Sequence, residues 1–557
     1  MIGVTSPMAR PENFPRRLEC APYRPSFRFR AAPFDTTPAK RVLPQDRTAR
    51  GQGLSRKASA EEAPFGCLYM NCFYINNSTC QKDTAIPVFI STGPIEEIQA
   101  LAGGHAMSNM KRSIKTKLIN EGLRYIEKDP MENIAKWIKW AKKIITSKEH
   151  AKYLEIFKES IENPYSNWHQ LTKRFFEELS MNTKNKFLAN YIINSGIIGI
   201  PTKNKLQEKY DCNIPWAILI DPTSACNLKC IGCWAAEYGK TDFLSLETLD
   251  RVIQEGKELG IYMYIYSGGE PLMRKDDLID LAKKHDDCAF LAFTNATLVD
   301  ENFSKNLGQL GNFGLAISIE GTEQETDARR GIGVYKKAIK AMDLLKKEGV
   351  IFGFSTCYHK HNTCSVGSES YIDYMVEKGC MFGWYFTYIP IGKTASLDLL
   401  ATPEQREYMF HQVRNFRKNK PIFLLDFWND GDYVDGCIAG GKNYLHINAR
   451  GDVEPCAFIH YSNININHTT LLEALHSPLF KQYREHQPFN ENHLRPCPLL
   501  DNPEKLVHMV HQANARSTQP IDEESVEALT SKTESAAKKW APVATKLWEN
   551  IKANRNY

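Results

Sequence analysis

The sequence predicts an α/β protein centred on a partial (β/α)6 barrel of the TIM type, with a helical N-terminal region before it and a small domain after it. Two observations lead there. From about residue 214 onward, short apolar runs alternate with amphipathic stretches of helical period. The alternation repeats six times, and strand-helix-strand units joined by right-handed crossovers build a parallel, curved sheet with its helices outside. The expected strands are 216–220, 262–266, 290–294, 315–319, 352–357 and 384–389. Helices are expected near 244–259, 276–284, 300–309, 334–348, 369–379 and 403–418. In such barrels the chemistry belongs where strands end and loops begin.

The elements follow in chain order. Residues 1–106 read as a disordered or extraneous leader, rich in proline, with ten Arg and two Lys against four acids in the first sixty positions and no helical period. An organelle transit peptide is the competing reading, but those form amphipathic helices and proline breaks this one. Residues 107–205 form the helical N-terminal region, with a fresh start at Met107. Within it Ile134, Trp137, Ile138, Ala141, Ile144 and Ile145 recur at three- and four-residue steps, with Lys136, Lys139, Lys142 and Lys143 on other faces. Such a stripe docks a helix on a larger domain; the competing reading is a basic interfacial helix over 134–145 in peripheral contact with a membrane. The barrel then occupies 206–420, the small domain 421–515, and a C-terminal helix 516–557.

Composition narrows the function classes. With 557 residues, 42% hydrophobic, 11% aromatic and 24% charged, the chain has material for more than one core, which excludes wholesale disorder. No run of eighteen apolar residues offers a spanning helix. The net charge of +5 comes from the leader, whose first sixty residues carry +8 and leave −3 for the remainder, so basicity gives no argument for a nucleic-acid partner. Fifteen cysteines, an odd number, with no apolar signal core near the start, argue against a secreted disulfide framework. They point instead to reduced thiols in a cytoplasmic, oxygen-poor setting.

The loop after the first strand reads Asp221-Pro-Thr-Ser-Ala-Cys226-Asn-Leu-Lys-Cys230-Ile-Gly-Cys233-Trp. Three thiolates within eight residues need a metal or a disulfide; a structural zinc site wants a fourth ligand nearby, and none is offered. A [4Fe-4S] cluster on three thiolates leaves one iron free. The second strand runs into Ser267-Gly268-Gly269-Glu270-Pro271, the third ends at Thr294-Asn295, the fourth at Ser318-Ile-Glu320, and Arg329 and Arg330 follow. Glycines let a backbone approach a ligand, a carboxylate suits an ammonium, and arginine suits a carboxylate.

Together these residues resemble the radical SAM enzyme family, whose C-x3-C-x2-C loop leaves the unique iron for S-adenosylmethionine. The resemblance implies that Cys226, Cys230 and Cys233 hold the cluster and carry catalysis. It further implies that Gly268, Gly269, Glu270, Pro271, Asn295, Ser318 and Glu320 bind SAM, with Arg329 or Arg330 on its carboxylate. One departure stands out: the family usually has an aromatic residue before the third cysteine, where this chain has Gly232, followed by Trp234.

Beyond the barrel, Cys437, Gly451 and Cys456 in the spacing C-x13-G-x4-C, with a distant Cys497, resemble the opening of a SPASM or twitch extension, which carries an auxiliary [4Fe-4S] cluster. The further C-x2-C-x5-C run of a full module is missing, so three thiolates remain, with a non-cysteine ligand such as His460 to complete them. The resemblance implies an oxidoreductase or maturase that cleaves SAM to a 5′-deoxyadenosyl radical. The radical would abstract hydrogen from a peptide or protein; a lipid or isoprenoid is the alternative substrate, and a non-catalytic metal-stabilised interaction module the alternative class. A low-potential donor of the flavodoxin or ferredoxin type would supply the electron. Two further residue groups are open: Trp384, Phe386 and Tyr388 alternate on one face of strand six, as wall or as cavity lining, and Cys357 is either a hydrogen-atom donor or an inert core thiol.

Overall fold

The computed structural model describes residues 122, 124–142, 148–393, 395–521 and 523–555. The 1–106 leader, the start at Met107, and Lys143, Ile144 and Ile145 of the stripe lie outside the described residues.

The sheet has nine strands: β1 (Ala217–Ile220), β2 (Met263–Tyr266), β3 (Ala289–Thr294), β4 (Phe313–Ser318), β5 (Phe352–Tyr358), β6 (Phe382–Thr387), β7 (Phe423–Asp426), β8 (Tyr444–Ile447) and β9 (Val453–Glu454). Their order is β7-β6-β5-β4-β3-β2-β1-β8-β9. All neighbours are parallel except β8 and β9. The six predicted strands are all present in sequence order, each followed by a helix, as the βαβ rhythm requires. The sheet extends past them at both edges. β7 continues it beyond β6, and β8 lies parallel to β1 with Ile218 opposite Leu445. The domain after the barrel therefore begins by sharing the barrel's own sheet. β7 is three apolar residues followed by Asp426, and β8 carries His446 in its middle, so neither shows the periodicity that marks a strand.

Two apolar layers hold the barrel. Between sheet and outer helices lie Ile218, Tyr264, Phe290, Leu315, Phe354 and Tyr385, packed against helix residues such as Leu249, Ile279 and Met342. Inside lie Trp216, Leu219, Ile265, Leu291 and Trp384. The period-two alternation of each strand sorts residues between the layers.

The helical region closes the N-terminal end of the barrel. Arg174 donates to the carbonyls of Cys380 at 3.2 Å, Val376 at 3.1 Å and Pro421 at 2.8 Å. Asn190 donates to the carbonyls of Asp286 at 2.9 Å and Cys288 at 2.8 Å. The π-helical segment Phe187–Gly199 brings the Tyr191 ring edge-on to Trp216 at 5.7 Å, at the floor of the interior. In the helix Pro130–Lys142, Ala135 and Ile138 are buried while Lys136 and Lys139 are exposed, so this part of the stripe is spent on packing. Among the described residues no helix is long and apolar enough to cross a membrane.

At the other end the C-terminal helix Val526–Arg555 straps the extension to the barrel helix Pro403–Asn419. Arg406 stacks on Trp540 at 4.3 Å and reaches Asp501 at 2.6 Å, and Trp540 donates to the Leu494 carbonyl at 2.9 Å.

A buried charged chain joins the barrel to β8 and β9. His446 Nδ1 meets Glu454 Oε2 at 2.6 Å, and its Nε2 faces Asp221 Oδ2 as an ion pair at 3.0 Å. Tyr238 donates to Glu454 at 2.7 Å and Ser267 to Asp221 at 2.7 Å. Burial alone would lower the imidazolium pKa, but the two carboxylates outweigh it and lift it to about 10. A folded pKa above the unfolded one means that this stabilisation is fully present below about pH 6.5 and is lost as pH rises through about 10. Replacing His446 by Gln leaves two buried carboxylates without their cation, a loss of about 3–5 kcal/mol. Thermal unfolding at a series of pH values checks this: the gap between wild type and H446Q should be widest below neutrality and close toward pH 10, and a constant gap would refute the assignment.

Candidate active site

The cysteine loop has no regular secondary structure, so its shape comes from hydrogen bonds at its flanks. Ser224 N donates to the Asp242 carbonyl at 2.9 Å, and Asp242 N returns to Ser224 Oγ at 3.0 Å. Lys240 Nζ holds the carbonyls of Cys226 at 3.3 Å and Leu228 at 3.0 Å. On the far side Arg329 clasps Ile231: the Ile231 N–H donates to the Arg329 carbonyl at 2.9 Å, and Arg329 Nε donates to the Ile231 carbonyl at 3.2 Å. Cys226, Cys230 and Cys233 are free, partly exposed, and line one cavity. Burial pushes the Cys226 thiol up to about 11 and raises Cys233 as well, so a metal must displace protons to bind them. Among the described residues no three His, Cys, Asp or Glu side chains close on a point as a single metal ion requires, so the trio is not collapsed into a zinc-type site.

The Gly-Gly turn after β2 nests on this loop. Gly269 N donates to the Thr223 carbonyl at 3.1 Å and Glu270 N to the Ala225 carbonyl at 2.8 Å. A Cβ at Gly269 would strike the carbonyls of Ala225 and Ser224. The absent side chain thus admits the neighbouring loop's backbone, where the sequence suggested close approach to a ligand. Ser267, Gly268, Gly269 and Glu270 line the cavity; Pro271, which opens a short 3-10 turn, does not. The Glu270 carboxylate accepts from Thr294 Oγ1 at 2.6 Å, Asn295 N at 2.8 Å and Leu272 N at 3.1 Å. Burial pushes this carboxyl up to about 6 against those donors. Both of its oxygens are engaged in tying β2 to β3.

Asn295 and Ser318 line the cavity, and Asn295 also donates to Asn227 on the cysteine loop at 2.9 Å. Glu320 does not line it. It lies fully buried behind Arg329 and Arg330, which pair with its Oε1 at 2.5 Å each, and the two arginines face the cavity instead. Glu320 therefore acts as their counter-ion, orienting both guanidinium groups.

The cavity holds about 230 Å³ and its walls are mainly apolar. Trp384, Phe386 and Tyr388 all line it, as do Cys357, Trp216, Phe293, Phe427 and Phe458. Phe293 stacks on Trp384 at 4.9 Å and Phe386 leans on Phe427 at 5.3 Å. The departure at Gly232 has a structural answer. Gly232 has φ +64°, and a Cβ there would run into the ring of Tyr388, which follows β6 and packs where the loop has no side chain. Trp234 turns toward the extension, edge-on to His446 at 5.7 Å and Phe458 at 5.9 Å. Phe293, Phe427 and Phe458 were missed in sequence; strand alternation reveals the first, but the other two lie in loops without a period.

Cys437, Cys456 and Cys497 meet at a second, smaller cavity behind this wall, and all three are free. Their sulfurs already have donors: Tyr444 Oη to Cys456 at 2.7 Å, Phe458 N to Cys456 at 3.5 Å, Leu500 N to Cys497 at 3.3 Å. Donor-lined thiols around a small apolar cavity fit an iron-sulfur cluster. His460 is not its fourth ligand. Its Nε2 is bound to the Ala457 carbonyl at 3.0 Å and its Nδ1 to Gln519 at 2.9 Å, away from the sulfurs.

Comparison with known proteins agrees with this geometry. Residues 220–366 match the radical SAM superfamily, and residues 437–498 match SPASM, an iron-sulfur cluster-binding domain. The chain is 31% identical over 145 residues to an Fe-coproporphyrin III synthase of Methanosarcina barkeri, covering 25% of this chain but only 36% of that protein. It is 24% identical over 311 residues to an AdoMet-dependent heme synthase of Oleidesulfovibrio alaskensis, covering 50% of this chain and 78% of the relative. To a PqqA peptide cyclase of Granulibacter bethesdensis it is 26% identical over 259 residues, covering 43% and 67%. Among solved structures, Streptococcus suis SuiB bound to the precursor peptide SuiA superposes with a TM-score of 0.46 at 17% identity, covering 59% of this chain and 80% of that one.

The nesting of the Gly-Gly turn can be tested directly. Gly269→Ala should displace the cysteine loop and weaken SAM binding at least about tenfold, a loss of about 1.4 kcal/mol. Gly196→Ala, whose nearest neighbour stands at 3.7 Å, serves as the control. Titration of the reconstituted proteins with SAM measures both, and equal affinities would contradict the packing argument.

Proposed function

With a radical SAM domain and a SPASM domain in one chain, the protein belongs to the radical SAM superfamily, and we propose that it is an enzyme that abstracts hydrogen from an apolar side chain of a peptide or protein. In this reading Cys226, Cys230 and Cys233 hold the [4Fe-4S] cluster. The backbone of Ser267–Gly269, together with Asn295, Ser318, Arg329 and Arg330, receives SAM. When bound, cluster and SAM supply a 5′-deoxyadenosyl radical after one-electron reduction. The chain contributes placement and exclusion of water. Glu320 presents two oriented guanidinium groups to a carboxylate, Tyr388 closes over the loop at Gly232, and the aromatic wall keeps the reacting centre dry.

The observation that carries the substrate class is the cavity itself. Beyond the residues assigned to cluster and SAM it presents Trp216, Phe293, Trp384, Phe386, Phe427 and Phe458, a wall that suits an apolar group of the substrate. Among the described residues the only cations on its wall are Arg329 and Arg330, which this reading gives to the SAM carboxylate, leaving none for a macrocycle bearing several carboxylates. The similarity to a peptide cyclase supports a peptide, and the apolar wall supports an aromatic or aliphatic side chain. A low-potential flavodoxin- or ferredoxin-type carrier reaches the cluster at the loop apex, where Lys229 and Ile231 are exposed. The free thiols suit a reducing cytoplasmic setting.

Anaerobic incubation of the reduced, SAM-loaded protein with separate peptide and lipid fractions from deuterated cells tests this, by following deuterium into 5′-deoxyadenosine. Transfer from the peptide fraction is expected; transfer from the lipid fraction alone would overturn the peptide assignment, and no 5′-deoxyadenosine at all would overturn the enzyme reading. Trp384→Ala should keep SAM binding while lowering substrate-coupled deuterium transfer by at least about tenfold, read by the same mass measurement.

A further inference from the structure

The second cysteine cavity contains one polar group that the sequence did not single out. Tyr483, on the helix Pro478–His486, is fully buried and lines the cavity together with Cys437, Cys456 and Cys497. Its hydroxyl has no hydrogen-bond partner among the described residues. The ring is fixed, edge-on to Phe489 at 5.3 Å and pressed against Gly440. It cannot swing out to find water, and buried hydroxyls without partners are rare in folded proteins. The other polar side chains on this cavity are occupied: Tyr444 donates to Cys456, Trp428 to Cys497, and Asp430 is held by Arg417 and by the Asp426 N–H.

We propose that Tyr483 donates its hydroxyl hydrogen bond to the sulfur of the auxiliary iron-sulfur cluster held by Cys437, Cys456 and Cys497, and so raises the potential of that cluster. The proposal rests on these three cysteines holding the SPASM cluster. Reduction adds negative charge to the cluster, and a donor aimed at its sulfur stabilises the reduced form more than the oxidised one, moving the potential upward. A higher potential suits an acceptor of electrons. The position agrees: Phe427, Ile438, Tyr444 and Phe458 line both cavities, so the two sites are separated by the thickness of one side chain. An electron can cross that wall, whereas a substrate in the main cavity cannot touch the iron. Of the two roles open to an auxiliary cluster, electron acceptor and substrate ligand, the wall selects the first.

The test uses the full-length chain with Cys226, Cys230 and Cys233 changed to Ala, so that all bound iron belongs to the auxiliary site. In this background, iron and sulfide content and an EPR-monitored redox titration are compared for Tyr483, Y483F and Y444F. Y444F, which loses the donor to Cys456, calibrates the effect of one lost hydrogen bond. The expected result is unchanged iron content in Y483F with a midpoint potential shifted negative, in the direction of Y444F. A Y483F potential equal to that of the parent, with Y444F shifted, overturns the donor role. Loss of one iron in Y483F, seen as a three-iron signal, overturns it too, because Tyr483 is then a ligand. Absence of iron from the parent shows instead that the underlying cluster assignment fails.

Discussion

The site depends on one arrangement of main chain, the nesting of the Gly-Gly turn after β2 on the cysteine loop after β1. The loop that presents the three thiolates has no regular secondary structure. Its conformation has to be imposed from outside. Two N–H donors from Gly269 and Glu270 reach the Thr223 and Ala225 carbonyls, and this is possible only because no Cβ intervenes. Glu270 extends the same clamp to β3 through Thr294 and Asn295, and Arg329 extends it to the element after β4 through Ile231. Adjacent strand ends are thus bound to one loop by hydrogen bonds that each depend on the last.

Charge is handled in the same way, by pairing before any ligand arrives. Arg329 and Arg330 are largely withdrawn from solvent, and alone they would carry a desolvation cost. Glu320 behind them supplies the compensating charge and fixes their direction. On the other side of the loop, Asp221 is bridged through His446 to Glu454, which ties the root of the cysteine loop to β8 and β9. Because β8 pairs with β1 along its whole length, the extension is aligned to the barrel by backbone hydrogen bonds as well as by charge. Two sites that the sequence places some two hundred residues apart are held by one sheet.

Legibility in the sequence followed periodicity. The six core strands and their helices were readable because apolar runs of five or six residues alternate with helical patterns, and the two cysteine groups because thiolates at short spacings have few other uses. β7 and β8 were not readable, the first because its apolar run stops at Asp426 after three residues and the second because His446 interrupts it. The roles of polar residues were the least readable. The family resemblance gave Glu270 and Glu320 as SAM contacts; Glu270 lines the cavity while also holding Thr294 and Asn295, and Glu320 lies behind the arginine pair, partners that nothing local in the sequence marks. Tyr388 and Tyr483 could not be matched to their sites, since nothing local marks a tyrosine that packs on a glycine far away in sequence.

The closed boundaries of the barrel limit how a substrate reaches the radical. Its N-terminal end is plugged by the π-helical segment and by Arg174 and Asn190, which cap carbonyls at the strand starts. The edge beside β1 is covered by β8, and behind the aromatic wall stands the second cysteine cavity. The C-terminal mouth is the end at which the cysteine loop presents Lys229 and Ile231 to solvent. In the proposed function, substrate and electron donor would approach one face. A group small enough to pass the mouth on a flexible stem can reach the wall residues Trp384 and Phe386, while a rigid body as wide as the barrel would stop at the cysteine loop. Access of this kind agrees with the cavity's apolar lining, which suits a side chain carried on a chain.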